Sequence, residues 1–171
     1  RGCRCGRWCT SLSRLQCGLR RCTSLGHAGG GRVPILGAMA AATAHKDLRR
    51  AIDERSFARA YYFYGDDEYR KDEKTRELID AAVDPATRDF NLDVRRGGSI
   101  DAESVASLVA TPPMMAERRV VVIREVNALK KDARTALDRY LVNPSTDVVL
   151  LLVAPAGTKE DAALIAKTAA V

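Results

Sequence analysis

The chain has 171 residues, 46% of them hydrophobic and 29% charged, which is enough for one globular domain with a sizeable core. No apolar run approaches the length needed to cross a bilayer. The formal net charge of +6 invites a nucleic-acid reading, but residues 1–38 hold seven arginines and no acid, whereas residues 39–171 hold 21 basic and 22 acidic side chains. Bulk charge therefore gives the globular part no support as a DNA binder.

The five cysteines (Cys3, Cys5, Cys9, Cys17, Cys22) all lie in the first 22 residues, together with a scatter of glycines and no sustained apolar period. We expect residues 1–38 to be disordered, upstream translation preceding a native start at Met39. A transit peptide is one alternative, from the arginine-rich, acid-free composition. A thiolate metal cluster is another, although the spacings lack the paired two-residue gaps of zinc modules, and His27 reads as a loop residue. The rest of the chain has no cysteine, which fits a reducing compartment, the cytoplasm, without disulfides, structural metal or cofactor.

Past the leader, the spacing of Leu48, Ala51, Ile52 and Arg55 predicts a short helix from His45 to Arg55. Tyr61–Tyr64 predicts a first strand that Gly65 ends. A helix follows from Asp67 to about Val83, capped by Asp66 or Asp67 and stopped by Asp84-Pro85. Phe90–Val94 alternates, as a strand near a sheet edge does, and Arg95 to Ser99 turns. Asp101 caps a helix with Val105, Leu108 and Val109 inside, which Thr111-Pro112-Pro113 ends. Val120–Ile123 is apolar on consecutive residues, like a parallel strand covered on both faces. Lys130–Leu141 returns to helical period before Asn143-Pro144, Val148–Val153 reads as the central strand, and a last helix spans about Lys159 to Thr168. Four β-α units predict an α/β fold, a mostly parallel sheet with helices on both faces. The final Ala-Ala-Val reads as the beginning of a fifth strand, cut off, so the sheet is expected to be truncated before that strand.

The first strand–turn–helix, Tyr61 to Arg70 (YYFYGDDEYR), has the architecture of a nucleotide site without its chemistry. A phosphate loop needs glycines that let backbone N–H groups approach the anion and a lysine that neutralises it. Here Gly65 is followed by Asp66, Asp67 and Glu68, while Lys71 and Lys74 lie too far into the helix to serve. The three acids read as helix caps, the alternative being a metal-binding acidic pair. A phospho-accepting receiver domain would need an aspartate after the Val120–Ile123 strand, where the chain has Arg124 and Glu125; Glu125 alone reads as a solvated loop residue. With one histidine, His45, in residues 39–171 and no serine elbow, no catalytic trio assembles.

Residues 111–119 read TPPMMAERR. Two prolines hold a rigid corner, and adjacent methionines cannot both point into a core from a regular strand. Met114 and Met115 either plug the sheet end or stand outside as adaptable apolar anchors. Arg118 and Arg119 are either solvated or positioned to meet an acidic partner or a helix end.

The run YYFYGDDEY, then DFNLDV, then SLVATPPMMAERRVVVIREVNALK, and finally LDRYLVNPSTDVVLLLVA resembles the N-terminal domain of the DNA polymerase III delta subunit family of bacterial clamp loaders, over about residues 45–171. The resemblance implies a three-layer clamp-loader ATPase-like fold with a degenerate phosphate loop at Gly65, Asp66, Asp67 and Glu68. It also implies strand order 5-1-4-3-2, with the first strand left at an open edge and the piece marginal on its own. The lid and collar domains of the family lie beyond the incomplete domain at 39–171. The family implies a non-catalytic subunit that binds the sliding clamp and helps open it for loading onto DNA. Its partners would be the clamp, the other subunits of a five-subunit assembly and DNA through the complex, with no membrane and no cofactor; polymerase activity would reside in other subunits of the holoenzyme. Its clamp anchor falls on Met114 and Met115, where leucine and phenylalanine are more usual, with Pro113 setting the corner and Arg118 and Arg119 at the rim. The rival expectations are an active nucleotide-dependent enzyme and a receiver domain.

Overall fold

The computed structural model describes residues 36–171, with side chains described from residue 43 onward. The expectations for the cysteine-rich leader and His27 fall on residues 1–35, outside the described residues. The first helix, α1 (Leu36–Asp53), begins earlier than the predicted His45 and takes in residues 36–38, which the sequence reading assigns to the leader. It ends before Arg55, whose φ of 52° lies in the left-handed region.

Strands β1 (Ala60–Phe63), β2 (Leu92–Arg96), β3 (Arg119–Arg124), β4 (Val148–Val153) and β5 (Ala169–Ala170) form a single sheet in the order β2-β3-β4-β1-β5. Every pairing is parallel. Between them run α2 (Glu68–Ala82), a single-turn α3 (Arg88–Asn91), α4 (Ala102–Ala110), α5 (Lys131–Tyr140) and α6 (Ala162–Lys167). Local chemistry sets the ends. Asp67 accepts from the Arg70 N–H and caps α2, Asp101 accepts from the Ser104 N–H and caps α4, and Asp161 accepts from the Ala163 and Leu164 N–H groups and caps α6.

Alternate residues of the central strands supply two separate cores. Tyr62, Val121, Ile123, Leu150 and Leu152 face α4, α5 and α6, meeting Val105, Leu137 and Leu164. Tyr61, Phe63, Val120, Val122, Leu151 and Val153 face the other way, onto Leu48 of α1 and Leu78, Ile79 and Val83 at α2 and its end. Burial on both faces explains the unbroken apolar runs in β3 and β4, and each such side chain contributes about 1.5–3 kcal/mol.

Two expectations are corrected. The sheet is not truncated before its fifth strand: β5 is present and pairs with β1, in register Tyr61 with Ala169 and Tyr62 with Ala170. Tyr64 donates its N–H to the Val171 carbonyl at 3.2 Å, and the Val171 N–H reaches the Tyr62 carbonyl at 2.9 Å. β1 therefore lies inside the sheet, with β5 and β2 at the two edges. The chain escapes α6 at Thr168, which is extended and returns its hydroxyl to the Leu164 carbonyl at 2.8 Å. Second, Phe90 belongs to α3, and the strand predicted from Phe90 to Val94 runs instead from Leu92 to Arg96.

Candidate functional site

The turn after β1 sits where a nucleotide's phosphates would lie in a fold of this type. Gly65 has φ 114°, a conformation that side chains rarely adopt, and it releases the chain into α2. Of the three acids expected as caps, only Asp67 caps the helix, accepting from the Arg70 N–H at 3.0 Å. Asp66 and Glu68 reach instead to the loop that follows β4. The Asp66 carboxylate accepts from the Gly157 N–H at 3.1 Å, and the Glu68 carboxylate from the Ala156 N–H at 2.6 Å. Lys71, read from the sequence as too deep in the helix to meet a phosphate, is buried; its ammonium donates to the Ala154 carbonyl at 2.6 Å and lies 3.7 Å from Glu68. The cleft is thus bridged by the chain's own carboxylates, and Lys71 is committed to a backbone oxygen.

At the end of β3 the positions that would carry carboxylate chemistry hold Arg124, paired with Asp72 at 2.7 Å, and Glu125, in the left-handed region at φ 54° and 3.9 Å from Arg96. Among the described residues no three His, Cys, Asp or Glu side chains gather as a metal site requires.

The second site is the corner after α4. The helix ends as Thr111 donates both its N–H and its hydroxyl to the Ser107 carbonyl, and Pro112-Pro113 prevents continuation. Met114 is then 55% exposed and Met115 92% exposed, the latter at φ 52°. A β-carbon in that region carries strain that its surroundings must hold. They do so through Asn91, which is fully buried. Its Oδ1 accepts from the Met114 N–H at 2.7 Å, and its Nδ2 donates to the Met114 carbonyl at 2.8 Å and to the Thr87 carbonyl at 3.1 Å. One side chain satisfies both backbone groups of Met114, as a paired strand would.

Arg118 and Arg119 are placed differently from each other. Arg118 lays its guanidinium over Phe57, 5.2 Å from the ring centroid, and donates to the Arg55 carbonyl at 3.3 Å. Arg119 opens β3, donates to the Phe90 carbonyl at 2.9 Å and pairs with Asp93, both charged groups being largely buried. Beside Met115 a groove of about 810 Å³ runs between Arg118, Arg55 and the end of α2 at Val83 and Asp84. Asn91 and the exposed Phe90 had no place among the predicted site residues. Asn91 gave no signal of its own, since it reads as a regular polar member of the alternation from Phe90 to Val94.

The sequence model of the family described as DNA polymerase III, delta subunit, matches residues 61–170. Among curated proteins, the DNA polymerase III subunit delta of Bacillus subtilis is 26% identical over 117 residues, covering 64% of this chain and 34% of that one. Among solved structures, the chain is similar to a DNA clamp loader delta protein of Bacillus subtilis at 24% identity and a TM-score of 0.66, covering 74% of this chain and 41% of that one. A DNA polymerase III gamma subunit-related protein of Thermotoga maritima follows at 17% identity and a TM-score of 0.58, with 74% and 44% covered. These two structural likenesses concern the fold. The chain spans about a third of the length of the curated relative.

Proposed function

Because the chain belongs to the DNA polymerase III delta subunit family, we propose that it works by gripping another protein, as a non-catalytic clamp-loader subunit that binds the sliding clamp and helps open it for loading onto DNA. Met114 and Met115 are the anchor, Pro113 fixes the angle at which they leave the domain, and Arg118 borders them. Arg119 contributes from behind, by holding β2 and β3 together. Binding biases the ring towards its open form to the extent that the anchor fits the open clamp better than the closed one.

The observation that carries this reading is the pair of adjacent methionines held outside the domain on a turn with a buried tether. Large apolar side chains on a rigid support make contact hot spots, and the thioether adapts to an apolar pocket. The bridged phosphate turn at Gly65, Asp66, Asp67 and Glu68 supports the non-catalytic half of the proposal, since a triphosphate entering it would meet carboxylates. The partners are the sliding clamp, the other loader subunits of a five-subunit assembly, and DNA through the complex. The setting is the cytoplasm; no helix among the described residues is long and apolar enough to cross a membrane.

The test is a pull-down with the sliding clamp of the same genome, comparing wild type with M114A/M115A. Loss of clamp recovery in the variant is expected, and equal recovery would defeat the assignment. Magnesium-dependent ATP turnover by the purified chain would defeat the non-catalytic reading.

A further inference from the structure

We infer that Asn91 is the positioning residue of the clamp anchor: its buried amide presets the turn that holds Met114 and Met115 outside, so that clamp affinity depends on a side chain that never touches the clamp. This rests on the clamp-binding reading above.

The argument begins with what the turn lacks. Residues 112–118 lie between α4 and β3, outside both elements, so no sheet or helix ladder satisfies the backbone of Met114. Two prolines precede it and donate nothing. Unheld, a segment of this kind samples many conformations, and fixing each residue on binding opposes association. Asn91 removes that freedom at one point. Its amide meets the N–H and the carbonyl of Met114 at 2.7 and 2.8 Å, and a third bond at 3.1 Å to the Thr87 carbonyl fixes the amide itself. Asparagine is suited to this because it offers an acceptor and a two-proton donor in one plane. Aspartate would lose both donors, and leucine would leave the Met114 N–H and carbonyl without their partner.

The tether also explains how Met115 keeps a φ of 52° without being glycine. A methionine there is strained unless its neighbours over-determine the backbone. With Met114 pinned on one side and Arg119 locked to Phe90 and Asp93 on the other, the intervening residues have little room to relax. Phe90 and Asn91 are adjacent, so both pins converge on the end of α3. That short helix, which replaces the strand predicted from Phe90, is the support on which the anchor is mounted.

The experiment compares wild type, N91A, N91D, N91S, M114A/M115A and the combined N91A/M114A/M115A variant. Each is titrated with the purified sliding clamp of the same genome, and thermal melts establish folding. We expect N91A to weaken binding about tenfold, the equivalent of losing a preset pair of hydrogen bonds, and N91D, which sets a buried carboxylate against the Met114 and Thr87 carbonyls, to weaken it at least as much. In the M114A/M115A background, N91A is expected to change the residual affinity no further, because what it positions has gone. Methyl NMR of methionine gives a direct reading, since the chain has only three methionines. The Met114 and Met115 signals should narrow and move towards unstructured values in N91A while Met39 stays in place. If M114A/M115A abolishes binding but N91A binds as wild type, or if both anchor signals are unmoved in N91A, the positioning role is overturned and the clamp reading stands. If N91A does not fold, N91S, which also lacks the amide but buries no charge, decides by the same two readouts. If M114A/M115A binds as wild type, the clamp reading fails and this inference fails with it.

Discussion

The carboxylate of Glu68, on the first turn of α2, accepts a hydrogen bond at 2.6 Å from the backbone N–H of Ala156 in the loop after β4. With Asp66 doing the same for Gly157, the two loops that would flank a nucleotide are joined by side chains of opposite character to a phosphate's needs. Lys71, below them, holds the Ala154 carbonyl. Magnesium-ATP is therefore expected to leave the melting temperature of the chain unchanged. The D66A/E68A variant should melt a few degrees lower, having lost both bridges, and should still gain nothing from ATP, because Lys71 stays committed to the Ala154 carbonyl. Differential scanning fluorimetry with and without nucleotide reads both, and clear ATP stabilisation of either protein contradicts the prediction.

Gly97 faces a different constraint, from packing. A β-carbon there would lie 2.4 Å from the Glu125 carbonyl oxygen and 3.2 Å from the Leu129 nitrogen, so backbone would have to move. Gly97→Ala is expected to cost about 1–3 kcal/mol. Gly98→Ala, whose added carbon meets only the Ala128 β-carbon at 3.9 Å, is the matched control and should be near neutral. Urea denaturation of the two variants checks the contrast.

Much of this architecture was legible because it rests on local features of the sequence. The unbroken apolar runs at Val120–Ile123 and Val148–Val153 have the pattern of strands covered on both faces, and they are such strands. Asp67 and Asp101 stand at helix starts where capping chemistry wants them, whereas Asp161, read as lying inside the last helix, caps it instead. What escaped reading was decided by partners far along the chain. Ala-Ala-Val read as the beginning of a strand but is too short to show that it pairs, and it does so because Tyr62 and Tyr64 offer backbone groups to it. Asn91 looked like the outward residue of an alternating strand, but its amide is spent on Met114, 23 residues later. Arg118 and Arg119 are neighbours in sequence with equal charge; Asp93 and Phe57, not the arginines themselves, determine that one closes a sheet edge and the other lies over a ring.

That difference yields a prediction for Arg119. Its guanidinium and the Asp93 carboxylate are 12% and 20% exposed, between the surface and interior regimes of an ion pair. Arg119→Ala leaves Asp93 with only the more distant Arg95, 3.4 Å away, and frees the Phe90 carbonyl. A loss of about 2 kcal/mol is expected. A double-mutant cycle with Asp93→Ala should return a coupling of about 1 kcal/mol or more; additivity would mean that the pair is incidental.

The fifth strand can be tested with one substitution. The Val171 N–H donates to the Tyr62 carbonyl at 2.9 Å, and proline has no N–H to give. Val171→Pro is expected to lower stability by about 1–2 kcal/mol relative to Val171→Ala, which keeps the bond and loses only side-chain packing. Amide exchange should show faster exchange at Tyr64, whose N–H is held by the Val171 carbonyl. Equal stability of the two variants would mean that this pairing contributes nothing.

The same end of the sheet should loosen in acid. The Arg134 guanidinium, 2.7 Å from Asp161, holds that carboxyl below the usual carboxylate range; burial opposes the shift, and the Leu164 and Ala163 N–H groups reinforce it. A carboxylate whose pKa is lower folded than unfolded contributes stability that is fully present above its unfolded value, near pH 4, and is lost as pH falls through the lower folded value. Asp161 also caps α6, the helix that delivers the chain to β5. Asp161→Asn retains a capping oxygen but loses the charge. Wild type should therefore exceed Asp161→Asn in stability at neutral pH, and the gap should close progressively below pH 4. Denaturation midpoints of both proteins across that range decide the matter; a gap that stays constant into acid would show that Arg134 does not act through the charge of Asp161.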